Sequence, residues 1–194
     1  FARVTRIYPL WWLFAAIMTG MFFLYNDFGL GEGWNRVSQG QPLLPFLIKS
    51  YFLVPQNAHP VLGVGWTLVH EIYFYLAFTL IILLPRRFWL WVLLGWGGAI
   101  AAGTFFGLTK PFGADIVSLI FYPMTMEFIM GAVVGLLVSS GVAWRSGALT
   151  LVAVFWLMAS LGLQGVEDDQ LMMWGRVFWF GLPCTLLVYG FATL

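Results

Sequence analysis

The sequence predicts an all-α fold: a polytopic bundle of transmembrane helices, with about six spans and one short interfacial or re-entrant helix. Three observations carry that expectation. Hydrophobic residues fill 61% of the 194 positions and charged residues 9%, where a soluble domain runs at roughly 45–50% and about 25%. Mean hydropathy is +0.91, and a soluble globule of this size has too little interior to hide that much apolar surface. The apolar residues also gather into runs of about 20, the length a helix needs to cross the hydrocarbon core. A soluble enzyme, a disordered tail and a nucleic-acid module are excluded, and the lipid bilayer is the first partner implied. The net charge of +1 gives no long-range field for an acidic partner.

The runs fall at residues 7–25, 66–84, 88–107, 116–139, 147–163 and 176–194. A further apolar stretch, 43–54, is too short to cross and carries Lys49, which suits a helix lying in the interface. It belongs to the one long connection, 26–65, where Pro42, Pro45, Pro55 and Pro60 interrupt any regular element. The expected organisation is one transmembrane domain over 1–194, with 26–65 as an outer loop. The chain opens on Phe1 and stops inside the apolar run at Leu194. It reads as an internal piece of a longer chain, and no signal peptide is visible.

Basic residues set the expected orientation. Alternating spans put Arg3, Arg6, Arg86, Arg87 and Arg145 on one side, with no acid among them. The other side holds Arg36, Lys49, Lys110 and Arg176 against Asp27, Glu32, Asp115 and the run Glu167-Asp168-Asp169. The arginine-rich side, with the N-terminus, is therefore expected to be cytoplasmic. Small residues suggest where helices meet. Gly131 and Gly135 form a G-x-x-x-G pair, and Gly95, Ala99 and Gly103 share a helical face. Pro183 is expected to kink the last span.

Few residues could carry chemistry. The single cysteine, Cys184, excludes an internal disulfide and a cysteine-based metal site. Two histidines, His59 and His70, form no H-E-x-x-H pair, so no metal site is expected. No phosphate loop, dinucleotide fingerprint or G-x-S-x-G is present. Glu71 and Glu127 stand out, because a carboxylate at membrane depth is costly unless it faces the bundle interior, pairs or stays protonated. Both are expected in the outer half of the bilayer. Each is either part of a reactive cavity or part of a hydrogen-bond network that locks the bundle.

Thr67, Glu71, Tyr75 and Thr79 recur every four residues, with Trp66, His70 and Tyr73 alongside. On a helix this puts hydroxyls, a carboxylate, an imidazole and an indole N–H on neighbouring stripes expected to face inward. His70 next to Glu71 suggests a base, but adjacent helical residues diverge by about 100° and do not pair directly. His59 reads as a surface-loop histidine. Arg3 and Arg6 share a face, and guanidinium forks suit phosphate. The plainer reading of that pair is a topogenic charge at the membrane edge.

These residues carry a family resemblance. Arg3-Val-Thr-Arg6-Ile7-Tyr8-Pro9-Leu10-Trp11-Trp12 resembles the R-x-x-R-I-Y-P-L-Y-W segment of the membrane-bound acyltransferase-3 family, bacterial O-acyltransferases of exopolysaccharide, lipopolysaccharide and related glycans. Gly65-Trp66-Thr67-Leu68-Val69-His70-Glu71-Ile72-Tyr73-Phe74-Tyr75 is similar to its W-[ST]-L-x-x-E-x-x-F-Y segment. The approach, Phe52-Leu53-Val54-Pro55-Gln56 and then Pro60-Val61-Leu62-Gly63-Val64-Gly65-Trp66, is similar to the exopolysaccharide branch. Glu127-Phe128-Ile129-Met130-Gly131 resembles E-F-x-x-G, and Gly181-Leu182-Pro183 with Tyr189-Gly190 resembles G-x-P…Y-G.

The resemblance implies transfer of an acyl group, usually acetyl from acetyl-CoA, to a hydroxyl of a cell-surface polysaccharide or glycolipid at the bacterial cytoplasmic membrane. It implies Arg3, Arg6 and Tyr8 at the acyl-CoA donor, and Glu71 and Glu127 as catalytic carboxylates. Trp66, Thr67 and Tyr75 are implied at the substrate; His70 is a substrate-binding candidate by its position beside them alone, since the family does not typically carry histidine there. The family's base, a histidine in an R-x(10)-H pattern, would lie upstream of Phe1; neither His59 nor His70 matches it. The piece taken alone is therefore expected to be inactive. The rival expectation is a glycan or lipid transporter with intramembrane carboxylates. Such a carrier should show repeated or matched broken helices, and no repeat is evident between the two halves.

Overall fold

Four described helices are long and apolar enough to cross a membrane: Thr5–Leu24, Gly65–Ile82, Arg86–Phe105 and Ile116–Ser139. The computed structural model describes residues 2–25, 38–110, 114–142, 144, 146–162 and 174–193. Among them the regular elements are all helical: α1 (Ala2–Tyr25), α2 (Leu43–Tyr51), α3 (Gly65–Ile82), α4 (Arg86–Phe105), α5 (Ile116–Ile120), α6 (Thr125–Ser139) and α7 (Ser146–Gly162). A π-helical turn (Val177–Gly181) then leads into α8 (Leu182–Thr193). The apolar helices Ser146–Gly162 and Val177–Thr193 are shorter than the other four. Leu24, Leu83 and Phe105 are 83%, 77% and 85% exposed, an arrangement that suits lipid rather than water. The acidic run Glu167-Asp168-Asp169, Asp27, Glu32, Arg36 and Arg145 lie outside the described residues.

The chain forms two compact units, Phe1–Tyr73 with Lys110–Ile120, and Phe74–Thr109 with Phe121–Leu194. In the first, α2 packs on α1. Trp11, Ala15, Phe46, Val61 and Val69 form its buried core. A helix leaves its last carbonyls without internal partners, and α1 supplies donors for those of α2. Trp11 Nε1–H donates to Ser50 O at 3.1 Å, Trp12 Nε1–H to Tyr51 O at 3.1 Å, and the Tyr8 hydroxyl to Phe52 O at 3.2 Å. The end also closes in a Schellman turn, with Leu53 N–H sharing Ser50 O and Val54 N–H on Lys49 O. Leu53 occupies the left-handed position usually given to glycine, φ +53°. The strain costs about 1–2 kcal/mol; burying the side chain, 4% exposed, is worth a similar amount or more.

Ser118 and Asp115 fasten the short α5 to the same unit. Asp115 Oδ1 caps the helix by accepting the Ser118 N–H at 2.7 Å, and Lys110 Nζ donates to Asp115 Oδ2 at 2.6 Å. The Lys110 hydrogen bond, with the Ser118 amide behind it, holds the Asp115 carboxyl below its ordinary range.

In the second unit α4 runs antiparallel to α6. Gly103 meets the Phe121 ring, Gly97 meets Met126, and Arg86 donates to Ser139 Oγ at 2.7 Å. Phe74 stacks on Phe128 at 4.6 Å and on Trp96 at 5.9 Å between ring centroids. α8 runs antiparallel to α7, with Gly190 pressed against Thr150. The Tyr189 hydroxyl accepts the Trp144 N–H at 2.9 Å and donates to Val142 O at 3.1 Å.

The small-residue expectation needs correction in part. Gly131 and Gly135 are exposed, and among the described residues no atom beyond their own helix backbone lies within 4 Å of where a Cβ would stand on either, or on Gly95. Ala99 is exposed too. Close approach occurs at Gly103, as expected, and also at Gly65, Gly97, Gly181 and Gly190, because that is where a neighbouring side chain arrives.

The expected irregularity at Pro183 is present as the π-helical turn Val177–Gly181, in which Leu182 N–H reaches back five residues to Val177 O. Proline has no N–H to give the carbonyl four residues earlier, Trp179 O. The Ser160 hydroxyl of α7 lies 2.7 Å from that oxygen.

Candidate functional site

Glu127 stands in the first turn of α6, where a negative charge is favoured by the helix dipole. Its two oxygens face Arg176, which directly precedes the π-helical turn. Arg176 Nε donates to Oε1 at 2.9 Å and an Nη to Oε2 at 3.4 Å. The side chains are 23% and 41% exposed respectively. Gly181 makes the room: a Cβ there would stand 3.0 Å from Glu127 Cγ and 3.2 Å from Met130 Cε. The E-F-x-x-G and G-x-P segments, more than fifty positions apart, therefore meet at one point. The guanidinium holds the carboxylate in a fixed orientation, and lone pairs remain on both oxygens for further donors.

The sequence reading missed Arg176 as that partner and counted it only among the charges of the outer side. One signal was present, since Arg176 opens an apolar run as the counter-charge to an acid inside another.

In the first unit Glu71 of α3 is half-buried. Beside it His70 is 0% exposed, and the Trp66 indole meets its imidazole edge-on at 5.8 Å. The expected inward stripe is only partly realised. The Thr67 hydroxyl donates back to Val64 O at 2.8 Å, and the Thr79 hydroxyl to Tyr75 O at 2.7 Å, with Thr79 exposed. Hydroxyls in apolar helices commonly fold back onto their own backbone in this way. The deeply buried side chains of α3 are Val69, His70, Phe74 and Ile81, of which His70 was expected to face inward. Tyr75, in the second unit, is half-buried. Arg6 is exposed, and Tyr8 bonds the end of α2. Arg3 lies on α1, and its side chain falls outside those described.

A small cleft lies at the start of α3 and is lined by Pro55, Gln56, His59, Trp66 and Val69 among others. Glu71 is not part of that lining. The loop behind it is pinned to one atom: Ser50 Oγ accepts Gln56 Nε2–H at 3.0 Å and Val61 N–H at 3.1 Å. His59 is half-buried rather than a freely exposed loop residue. Gln56 and Ser50 were not singled out from the sequence, where nothing distinguishes a buried amide from a surface one. Among the described residues no group of three or more His, Cys, Asp or Glu side chains could hold a metal ion.

No family model, no curated protein and no solved structure matches the chain.

Proposed function

We propose that the chain is part of an integral membrane O-acyltransferase of the acyltransferase-3 type, moving an acyl group, acetyl in the usual case, from a CoA thioester to a glycan hydroxyl. In this reading six spans cross the bacterial cytoplasmic membrane, with Arg3 and Arg6 on the cytoplasmic side. The two shorter apolar helices are then the fifth and sixth spans. The acceptor oxygen bonds to the acyl carbon as the C–S bond breaks, and the hydroxyl proton passes through a base to the departing CoA thiolate. The Arg3/Arg6 pair clamps the donor phosphates. Glu71 orients the base, the histidine expected upstream of Phe1, or holds the acceptor. Glu127 positions through Arg176.

One observation carries the reading. Residues scattered over the resembling segments meet in space: Gly65 lies directly against the Trp11 ring, and Gly181 against Glu127. The test is glycan O-acetylation by the full-length protein in its membrane. Glu71→Gln and Arg6→Ala should each lower it at least tenfold. Near-normal acetylation by either variant removes that residue from the mechanism.

The break between α5 and α6 and the π-helical turn favour a second reading, a glycan or lipid carrier, because carriers bind at interrupted helices. Thiol release from labelled acetyl-CoA in proteoliposomes, dependent on added glycan, separates the two; a carrier gives none.

A further inference from the structure

The turn from α3 into α4 presents two cations that no carboxylate answers. Arg86 and Arg87 are exposed, and among the described residues neither makes an ion pair. The turn that carries them is fixed. Leu84 N–H donates to Ile81 O at 3.0 Å, Phe88 N–H to Pro85 O at 2.9 Å, and the Trp89 indole N–H to Leu84 O at 2.8 Å. Arg86 reaches across to α6, where an Nη donates to Ser139 Oγ at 2.7 Å, and that hydroxyl donates onward to Leu136 O. The Arg87 guanidinium lies over the Phe88 ring, 4.7 Å from its centroid. One guanidinium is thus oriented by a hydroxyl and the other by a ring face, and a guanidinium has several N–H donors to offer an oxyanion.

The surroundings select the anion. α4 has 20 residues, about 30 Å of helix, which matches the hydrocarbon core. A pair at its first two positions therefore stands at headgroup level when the helix spans. Leu83, Leu84, Phe88 and Trp91 are exposed beside the pair, and Trp91 follows Arg87 by one turn on the same face. A soluble polyanion or an acidic peptide would answer the guanidinium groups and leave these side chains in water. A zwitterionic lipid would cover the side chains but bring a cation of its own. A phospholipid with a net negative headgroup meets both demands.

We infer that Arg86 and Arg87 form a binding site for an anionic phospholipid, with its phosphate on the two guanidinium groups and its acyl chains along the exposed start of α4. None of the residues assigned to acyl transfer takes part, so the site does not rest on that reading.

The test uses the full-length protein in a neutral detergent with equimolar dioleoyl phosphatidylglycerol and dioleoyl phosphatidylcholine, the retained lipids being counted by native mass spectrometry. Phosphatidylglycerol should be retained about tenfold over phosphatidylcholine, as two basic side chains at an anionic surface give. Arg86→Gln with Arg87→Gln should lower that ratio by about threefold or more. Lys49→Gln with Lys110→Gln removes the same two positive charges from other exposed positions and should leave the ratio unchanged. Equal losses in the two double variants would mean that the lipid answers net charge and not a site, which overturns the inference. An unchanged ratio in the arginine variant also overturns it, and weaker CoA binding in that variant would then give the pair to a soluble phosphate. Should the arginine double variant fail to fold because Ser139 loses its partner, Arg87→Gln decides alone, and its ratio should fall about twofold or more.

Discussion

The hydroxyl of Ser160 stands 2.7 Å from the carbonyl oxygen of Trp179, the acceptor that Pro183 cannot serve. It also lies 2.8 Å from Trp156 O on its own helix, and it has one proton to share between them. The neighbouring helix thus offers this carbonyl a donor that Pro183 lacks, of the kind apolar surroundings favour for a freed backbone group. Ser160→Ala should lower stability by about 1–2 kcal/mol. In a Pro183→Ala background residue 183 regains an N–H, and the same substitution should cost less than half as much. Reversible unfolding of the four variants in detergent measures the coupling; equal costs in both backgrounds would show that the hydroxyl does not act on Trp179.

The Glu127–Arg176 pair should behave as a unit. Removing one member strands a charge that the other held, at up to about 3–5 kcal/mol when both are fully buried. Arg176 is 41% exposed, so water screens part of that, and about 1–3 kcal/mol is expected for Arg176→Gln or Glu127→Gln. The double variant should cost clearly less than the two single losses together. Additive losses in an unfolding titration would mean that the pair is not coupled.

How much of this was legible in the sequence depends on the range of the interaction. The runs at 66–84 and 88–107 became helices close to those bounds, because length and apolarity are local properties, while 116–139 divided into α5 and α6. The interfacial stretch 43–54 became α2 over Leu43–Tyr51. Its end was set by Leu53 entering the left-handed region, which no propensity for leucine announces. The partners of Glu127 and of the Trp179 carbonyl lie 49 and 19 residues away. No periodicity reports them, so charge and proline pointed to a problem without giving its solution. The stripe at Thr67, Glu71, Tyr75 and Thr79 failed as a wholly inward face for a related reason: a threonine can satisfy itself on its own helix and need not face a neighbour.

The glycines give a sharper contrast. Spacing favoured Gly131 and Gly135 as contact points, yet the close neighbours stand at Gly181 and Gly190. Gly190→Ala would drive a methyl into Thr150, with Ser146 O only 3.2 Å away. Gly181→Ala would push on Glu127 and Met130. Overpacking of this kind costs about 1–3 kcal/mol, and both variants should unfold earlier. Gly131→Ala and Gly135→Ala meet nothing and should be neutral or gain up to about 1 kcal/mol of helix propensity. Destabilisation at 131 or 135 would reveal a partner surface on that face of α6.

Ser50 tests the loop. Its hydroxyl oxygen is the shared acceptor for Gln56 Nε2 and Val61 N, and the side chain is 0% exposed. Ser50→Ala keeps the volume nearly unchanged but leaves two buried donors without that acceptor, at about 1–3 kcal/mol each if nothing relaxes. The α2 backbone should survive, because Trp11 and Leu53 bond the Ser50 carbonyl and not its side chain. The expected result is local: faster amide exchange at Val61, with protection on α1 and α2 retained. Ser50→Thr keeps the oxygen and should preserve the Val61 protection wherever its extra methyl is accommodated. Global loss of protection in Ser50→Ala would mean that the hydroxyl holds the whole unit together rather than one loop.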